Sequence, residues 1–208
     1  VTADKIDLPK IGSNGQATEV LATDVSYCNT TDDYFAFTTI IAVNTQDMME
    51  NANSKTLMTG GASNMYMSLT DLYVTYSTHG GSGYENEESS IYRIHIEKST
   101  ITPEAQGKVP GYILNQFSMD QLGDYFRVAT TTWNNGIVVL FPNGSTSPQR
   151  TTRSGSGVYV LNMSLSIVGR LENLAQGEDF HSARFIGNKC YLVTFMKTDP
   201  LFVLERSN

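Results

Sequence analysis

The sequence predicts an all-β chain built from a repeated antiparallel unit, and three observations carry that prediction. Helical periodicity is almost absent, while short runs rich in Val, Ile, Tyr, Phe and Thr recur between Gly, Asn, Asp and Ser. Three segments share one strand–turn–strand pattern. A further strand-like element recurs at a nearly fixed distance before each of them.

The first of the three segments, "NMYMSLTDLYVTYST" (64–78), pivots on Thr70-Asp71. The second, "NQFSMDQLGDYFRVATTT" (115–132), pivots on Gly123-Asp124, and the third, "HSARFIGNKCYLVTF" (181–195), on Gly187-Asn188. Each second strand places an aromatic before an aliphatic residue: Tyr73-Val74, Phe126 to Val128, Tyr191 to Val193. Polar turn residues between apolar runs are the chemistry of hairpins.

The further element reads "TTIIAVN" (38–44), "SSIYRIH" (89–95), "SGVYVLN" (156–162) and, more loosely, "DPLFVLE" (199–205). Ile41 to Val74, Tyr92 to Val128 and Tyr159 to Val193 span 33, 36 and 34 residues, whereas the returns to the next element span 18, 31 and 9. Constant length in one segment, with variation confined to one loop, is what a repeated structural unit produces. Gly61, Gly111 and Gly177 precede the hairpins, each followed eight residues on by an apolar residue: Leu69, Met119 and Phe185.

Two pairs of short strands in roughly 50 residues is the size of a propeller blade. The fold expected is a partial β-propeller of about four antiparallel four-stranded blades, with a β-sandwich as the alternative. The count of four requires the weakly patterned stretch before Asp32 to supply two strands. Val74, Val128 and Val193 are expected at equivalent buried places. The apolar runs "IVVLF" (137–141) and "CYLVTF" (190–195) are expected as inner strands covered on both faces.

Composition narrows the function classes. Hydrophobic residues make up 40% and charged residues 17% of the 208 residues, which describes an ordered chain with a sparsely charged surface. Fourteen basic against 21 acidic residues give a net charge of −7, which argues against nucleic acid and anionic membrane surfaces as partners. No apolar run approaches the roughly 20 residues of a membrane span. The chain opens at Val1 without Met or a leader pattern, which reads as a processed or excised chain. Cys28 and Cys190 have no metal-type spacing and suit either a disulfide or two buried thiols. Abundant Ser, Thr, Asn, Gly and Tyr, with sequons at Asn29, Asn143 and Asn162, suit an extracellular or cell-surface setting.

Two blocks carry a resemblance to a known family. "GKVPGYILNQFSMDQLGDYFRVATTTW" (107–133) and "RLENLAQGEDFHSARFIGNKCYLVTFMKTDPLFVLE" (170–205) resemble secreted archaeal and bacterial proteins with a C-terminal β-propeller domain distantly related to WD40 repeats. The similarity runs from about Asp24 onward, and "LNQFSMD" (114–120) and "VTFMKTDPLFVLE" (193–205) are its most specific parts. The family's domain is longer than this chain, so the resemblance implies that 1–208 is a single segment of a longer propeller. The polar stretch 138–155 departs from the family pattern, as does the stop after "LFVLERSN" (201–208). The family has no assigned activity, and no catalytic residues carry over.

Candidate sites are few. Glu85, Glu87 and Glu88 offer oxygens for Ca²⁺ but lack the alternating pattern of a dedicated loop, so a solvated loop is the plainer reading. Asp120 and Asp124 flank a tight turn, where Asp usually bonds its own backbone. His79, His95 and His181 sit in different units and make no metal-type pair. His181 opens an innermost strand near the mouth of a channel, and Trp133 opens the longest loop; these two are the candidate ligand-binding residues. "TGGAS" (59–63) and "HGGSG" (79–83) lack the Lys and the following helix of a phosphate loop. Neither a catalytic group nor a cofactor is expected.

The reading that follows is a non-catalytic extracellular recognition or scaffold module for a protein or glycan ligand. The alternative is part of a secreted hydrolase or lyase with its active centre in the propeller channel. An arc of blades would also leave terminal faces and the edge at 200–205 open to self-association.

Overall fold

Glycine and polar turns cut this chain into short strands, and β-branched and aromatic residues fill them. The computed structural model describes residues 7–13, 15–27, 36–47, 49–78, 88–134, 138–140, 146–148, 153–195 and 201–205. A hairpin comes first, β1 (Lys10–Ser13) and β2 (Gln16–Glu19). After a 3-10 turn at Ala22–Asp24 come β3 (Val25–Tyr27), β4 (Ala36–Ala42) and β5 (Asn53–Thr59). They form a mixed sheet in the order β3-β5-β4, with β3 parallel to β5.

The second sheet is a four-stranded antiparallel meander of β6 (Asn64–Met67), β7 (Asp71–Thr78), β8 (Glu88–Glu97) and β9 (Thr100–Pro110). The third begins with β10 (Met119–Leu122) and β11 (Tyr125–Asn134). A separate hairpin, β12 (Val138–Leu140) and β13 (Thr146–Pro148), is inserted before β14 (Arg153–Asn162) and β15 (Ile167–Leu174) complete the sheet. The last sheet has three described strands: β16 (Asp179–Ile186), β17 (Lys189–Phe195) and β18 (Leu201–Glu205).

Alternation of side chains gives the second and third sheets a core on each face. Leu57 of β5, with Ile40 and Ala42 of β4, packs on Val74, Tyr76, Tyr92 and Ile94 of the second sheet. The opposite face of that sheet presents Tyr73, Ile91 and Val109 to Met119, Phe126, Val128, Tyr159 and Leu161 of the third. The far side of the third, Ala129 and Val158, meets Ala183, Cys190 and Leu192 of the fourth. Four sheets stacked serially through three apolar interfaces are consecutive propeller blades. A two-layer sandwich has a single such interface, and that alternative falls.

Gly111 shows how one blade passes to the next. It follows β9 at φ +82°, and an added Cβ would strike the Thr131 carbonyl of β11. That close approach lets Tyr112 bridge Thr131, with N–H···O bonds of 2.8 and 3.0 Å. A side chain at this position would force the two sheets apart.

Several expectations need correction. Val74 and Val128 are buried opposite Tyr92 and Tyr159, as the repeat requires. In the fourth sheet the equivalent residue is Leu192, buried opposite Phe202, while Val193 is half-buried on the other face. A slip of one residue reverses the face. "IVVLF" supplies no inner strand; its Val138–Leu140 forms the inserted hairpin. The first predicted turn lies at 68–70, where the Ser68 hydroxyl accepts from the amides of Thr70 and Asp71 at 3.3 and 2.9 Å, and Asp71 already belongs to β7. Leu69 at its tip is 99% exposed, unlike Met119, its expected counterpart, which is buried. Among the described residues two sheets carry four antiparallel strands, and the flanking ones carry three.

Candidate functional site

The first strands of three successive sheets, β6, β10 and β16, lie along one side of the stack. They meet around the 3-10 turn Gln116–Ser118 that leads into β10. Between them is a groove of about 380 Å³. Tertiary stacking creates it, since no two of the three strands are neighbours in sequence.

Each wall has a local cause. Met65 and Met67 alternate on β6 and point outward from the sheet core, 64% and 49% exposed. Tyr66, between them, turns inward, and its hydroxyl accepts from the Gln121 amide at 3.2 Å, tying β6 to β10. Tyr73 donates to the Gln121 side-chain oxygen at 3.1 Å. The Asn115 side chain caps the 3-10 turn by accepting from the Phe117 amide at 2.9 Å, which fixes Phe117 at the rim, half exposed. Arg184 of β16 lies over the Phe117 ring, its Cζ 4.7 Å from the centroid.

Asp120 faces the groove and sits opposite Arg127 in the β10–β11 register. Arg127 donates to it through Nε at 3.1 Å and through Nη2, and lies over Phe185 with Cζ 5.0 Å from the ring. This carboxylate bonds a neighbouring strand and not its own backbone, contrary to the sequence expectation. Asp124 is exposed at its turn.

A second charged group lies at the end of the second sheet. Buried Asp71 accepts from Arg93 at 2.8 Å and from Thr70 at 2.8 Å, and His95 Nδ1 stands 3.4 Å away. Arg93 also pairs with Glu104. Burial alone would raise the Asp71 carboxyl; the hydrogen bonds from Thr70 and Arg93, the guanidinium charge and His95 outweigh it and hold it below the ordinary carboxylate value. A third feature is a cleft of about 260 Å³ between the third and fourth sheets, open beside β18.

The predicted site residues are scattered. His181 is on β16, the same first strand as Arg184, at a bulge between Phe180 and Ser182 where it is exposed. It does not line the groove. Trp133 belongs to β11, opposite Ser154, and not to a loop; its side chain lies outside the described residues. Glu88 starts β8 and accepts from Lys108 at 3.3 Å, which makes it a structural partner. Glu85, Glu87, His79 and Cys28 lie outside the described residues. Cys190 is a free thiol in the core between the third and fourth sheets, where burial pushes its pKa up to about 12. Phe117, Arg184, Met65 and Met67 escaped sequence reasoning. The alternation in "NMYM" (64–67) was the one available signal.

With serial blades and an inner groove in place, the class of protein is defined: the chain belongs to the Beta propeller domain family, whose pattern matches residues 2–208. It is similar to an uncharacterized protein of Methanocaldococcus jannaschii, 35% identical over 124 residues, 60% of this chain and 17% of that one. It is also similar to an uncharacterized protein of Archaeoglobus fulgidus, 36% identical over 121 residues, 57% of this chain and 16% of that one. The matched region is about a sixth of the length of these curated relatives. No solved structure matches the chain.

Proposed function

We propose that the chain is a segment of a longer β-propeller that serves extracellular or cell-surface recognition or scaffolding, and that it binds a protein or glycan ligand in the inner groove. The observation that carries this reading is the exposure of Met65, Met67 and Phe117 around one guanidinium, Arg184. Apolar side chains held in water beside a charge gain by being covered, at about 25 cal/mol per Å² of apolar area. Asp120 is engaged by Arg127. The net charge of −7 disfavours nucleic acid as the ligand. No described helix is long and apolar enough to cross a membrane.

The test is retention on glycan and peptide arrays by the wild-type chain and by Phe117→Ser. Retention that the substitution abolishes supports the groove as the binding site. Equal retention by both chains contradicts it.

A second reading, part of a secreted hydrolase or lyase, draws on the placement of Asp120 and His181 on the adjacent first strands β10 and β16. It predicts product release from an array spot that Asp120→Asn abolishes.

Self-association is a further proposal of the scaffold reading. Among the described strands β18 pairs only with β17, and it exposes Leu201 and Val203. An open apolar edge invites a partner strand. Light scattering should show dimers or larger species that Val203→Lys converts to monomer; a strict monomer at high concentration contradicts this.

A further inference from the structure

We infer that the groove takes an extended peptide segment presenting an apolar side chain with a carboxylate one or two residues away. This rests on the recognition reading above and names its ligand.

Arg184 supplies the charge argument. Arg93, Arg127 and Arg170 each have a carboxylate within 4 Å, whereas Arg184, among the described residues, has none and rests on the Phe117 ring instead. In a chain of net charge −7, a guanidinium with no carboxylate partner among the described residues, held on an aromatic face, is the place where an incoming anion gains. Contact with the Phe117 ring also limits where the guanidinium can go, so less side-chain freedom is lost when it binds.

The apolar walls supply the shape argument. Met65 and Met67 are two residues apart on one strand and point to the same face, so their Cα positions are spaced about 7 Å along it. That is the repeat of alternate side chains in an extended ligand. Thioethers adapt to varied apolar shapes, which suits peptide side chains better than sugar rings. A sugar ligand needs several free planar polar groups, and two of those at or beside the groove are already engaged. Asp120 is bonded to Arg127, and Gln121 is held by Tyr66 and Tyr73. β6 pairs with β7 alone among the described strands, which leaves its other edge for main-chain pairing with such a segment. A volume of about 380 Å³ accommodates an anchoring side chain and its neighbour.

The experiment uses the 208-residue chain with ¹³C-methyl methionine and a capped, fluorescein-labelled peptide Gly-Ser-Leu-Asp-Leu-Glu-Ser-Gly. A second peptide has Asn and Gln in place of its acids; cellohexaose and chitohexaose are the glycan probes. The expected result is a saturable anisotropy rise with shifts of the Met65 and Met67 methyls, and at least about tenfold weaker binding of the amide peptide. Arg184→Gln, which alters no described ion pair and removes only the contact with Phe117, should abolish the difference between the two peptides with little change in the melting temperature. Equal binding of both peptides, or a preference that survives Arg184→Gln, overturns the inference. Glycans that move the same methyls overturn it while leaving the recognition reading intact. Failure of every probe to move them at millimolar concentration overturns the inference, and a blank array result then removes the recognition reading as well.

Discussion

Tyr73 and Phe126 stack ring on ring across the boundary between the second and third sheets, with centroids 3.9 Å apart and planes 11° from parallel. Both rings are fully buried, and Tyr66 packs beside them at 6.1 and 6.3 Å. The same rings floor the region from which Tyr66 and Tyr73 reach Gln121, so blade packing and groove geometry share one cause.

Phe126→Ala should therefore cost about 3–5 kcal/mol of unfolding free energy, by lost transfer and by the cavity left behind. A double-mutant cycle with Tyr73→Ala should show coupling of about 1 kcal/mol, because the rings touch directly. Urea denaturation of the four proteins reads both numbers. Strict additivity would mean that the two sheets do not meet here.

Gly107→Ala probes the same interface from the outer side. Leu165, in the turn between β14 and β15, is buried with φ +57°, and its carbonyl and Cβ occupy the space that a Cβ at residue 107 would need. Neither atom is a flexible side-chain end, so the turn must shift. The expected loss is about 1–3 kcal/mol, by overpacking, and thermal melting would register it. An unchanged melting point would place Leu165 elsewhere.

Leu192→Asp and Val193→Asp separate the two faces of β17. Leu192 is fully buried against the third sheet, so an unpaired carboxylate there should cost several kcal/mol, on the order of 3–5. Val193 is half-buried on the opposite face and should cost much less. The reverse ranking in a denaturation series would shift the register of the whole sheet by one residue.

The pH dependence of stability should have two limbs. Asp71 is held below its ordinary value of 3.8, so its contribution is present above that pH and is lost as pH falls through the lower folded value. Asp71→Asn should flatten this acid limb. Burial raises the hydroxyls of Tyr73 and Tyr159, so their contribution holds below about pH 10 and is lost above it, as the unfolded chain ionises first. Denaturation midpoints from pH 2 to 11 would show both; a midpoint independent of pH below 4 would contradict the role of Asp71.

Turn chemistry made much of this fold legible in the sequence. Gly123-Asp124 and Gly187-Asn188 stand between paired strands as expected, because both glycines adopt φ +57°. The Tyr92 and Tyr159 elements became equivalent third strands for a similar reason: their neighbours fixed the register. The sequence points to Val193 where the structure puts Leu192, because "CYLVTF" is apolar at nearly every position and such a run carries no period to tell one face from the other. "IVVLF" misled in the same way. The groove was illegible for another reason: Phe117 and Arg184 are 67 positions apart and meet only when two sheets stack.

The serial stacking of the sheets is tested most directly by methyl–methyl nuclear Overhauser contacts in a chain labelled at Ile, Leu, Val and Met. The architecture predicts three separate groups: Leu57 with Val74 and Ile94; Ile91 with Val109, Val128, Leu161 and Leu165; and Val158 with Leu192. Contacts that join the Leu57 group directly to Leu192, as in a sandwich of two layers around one core, would contradict it.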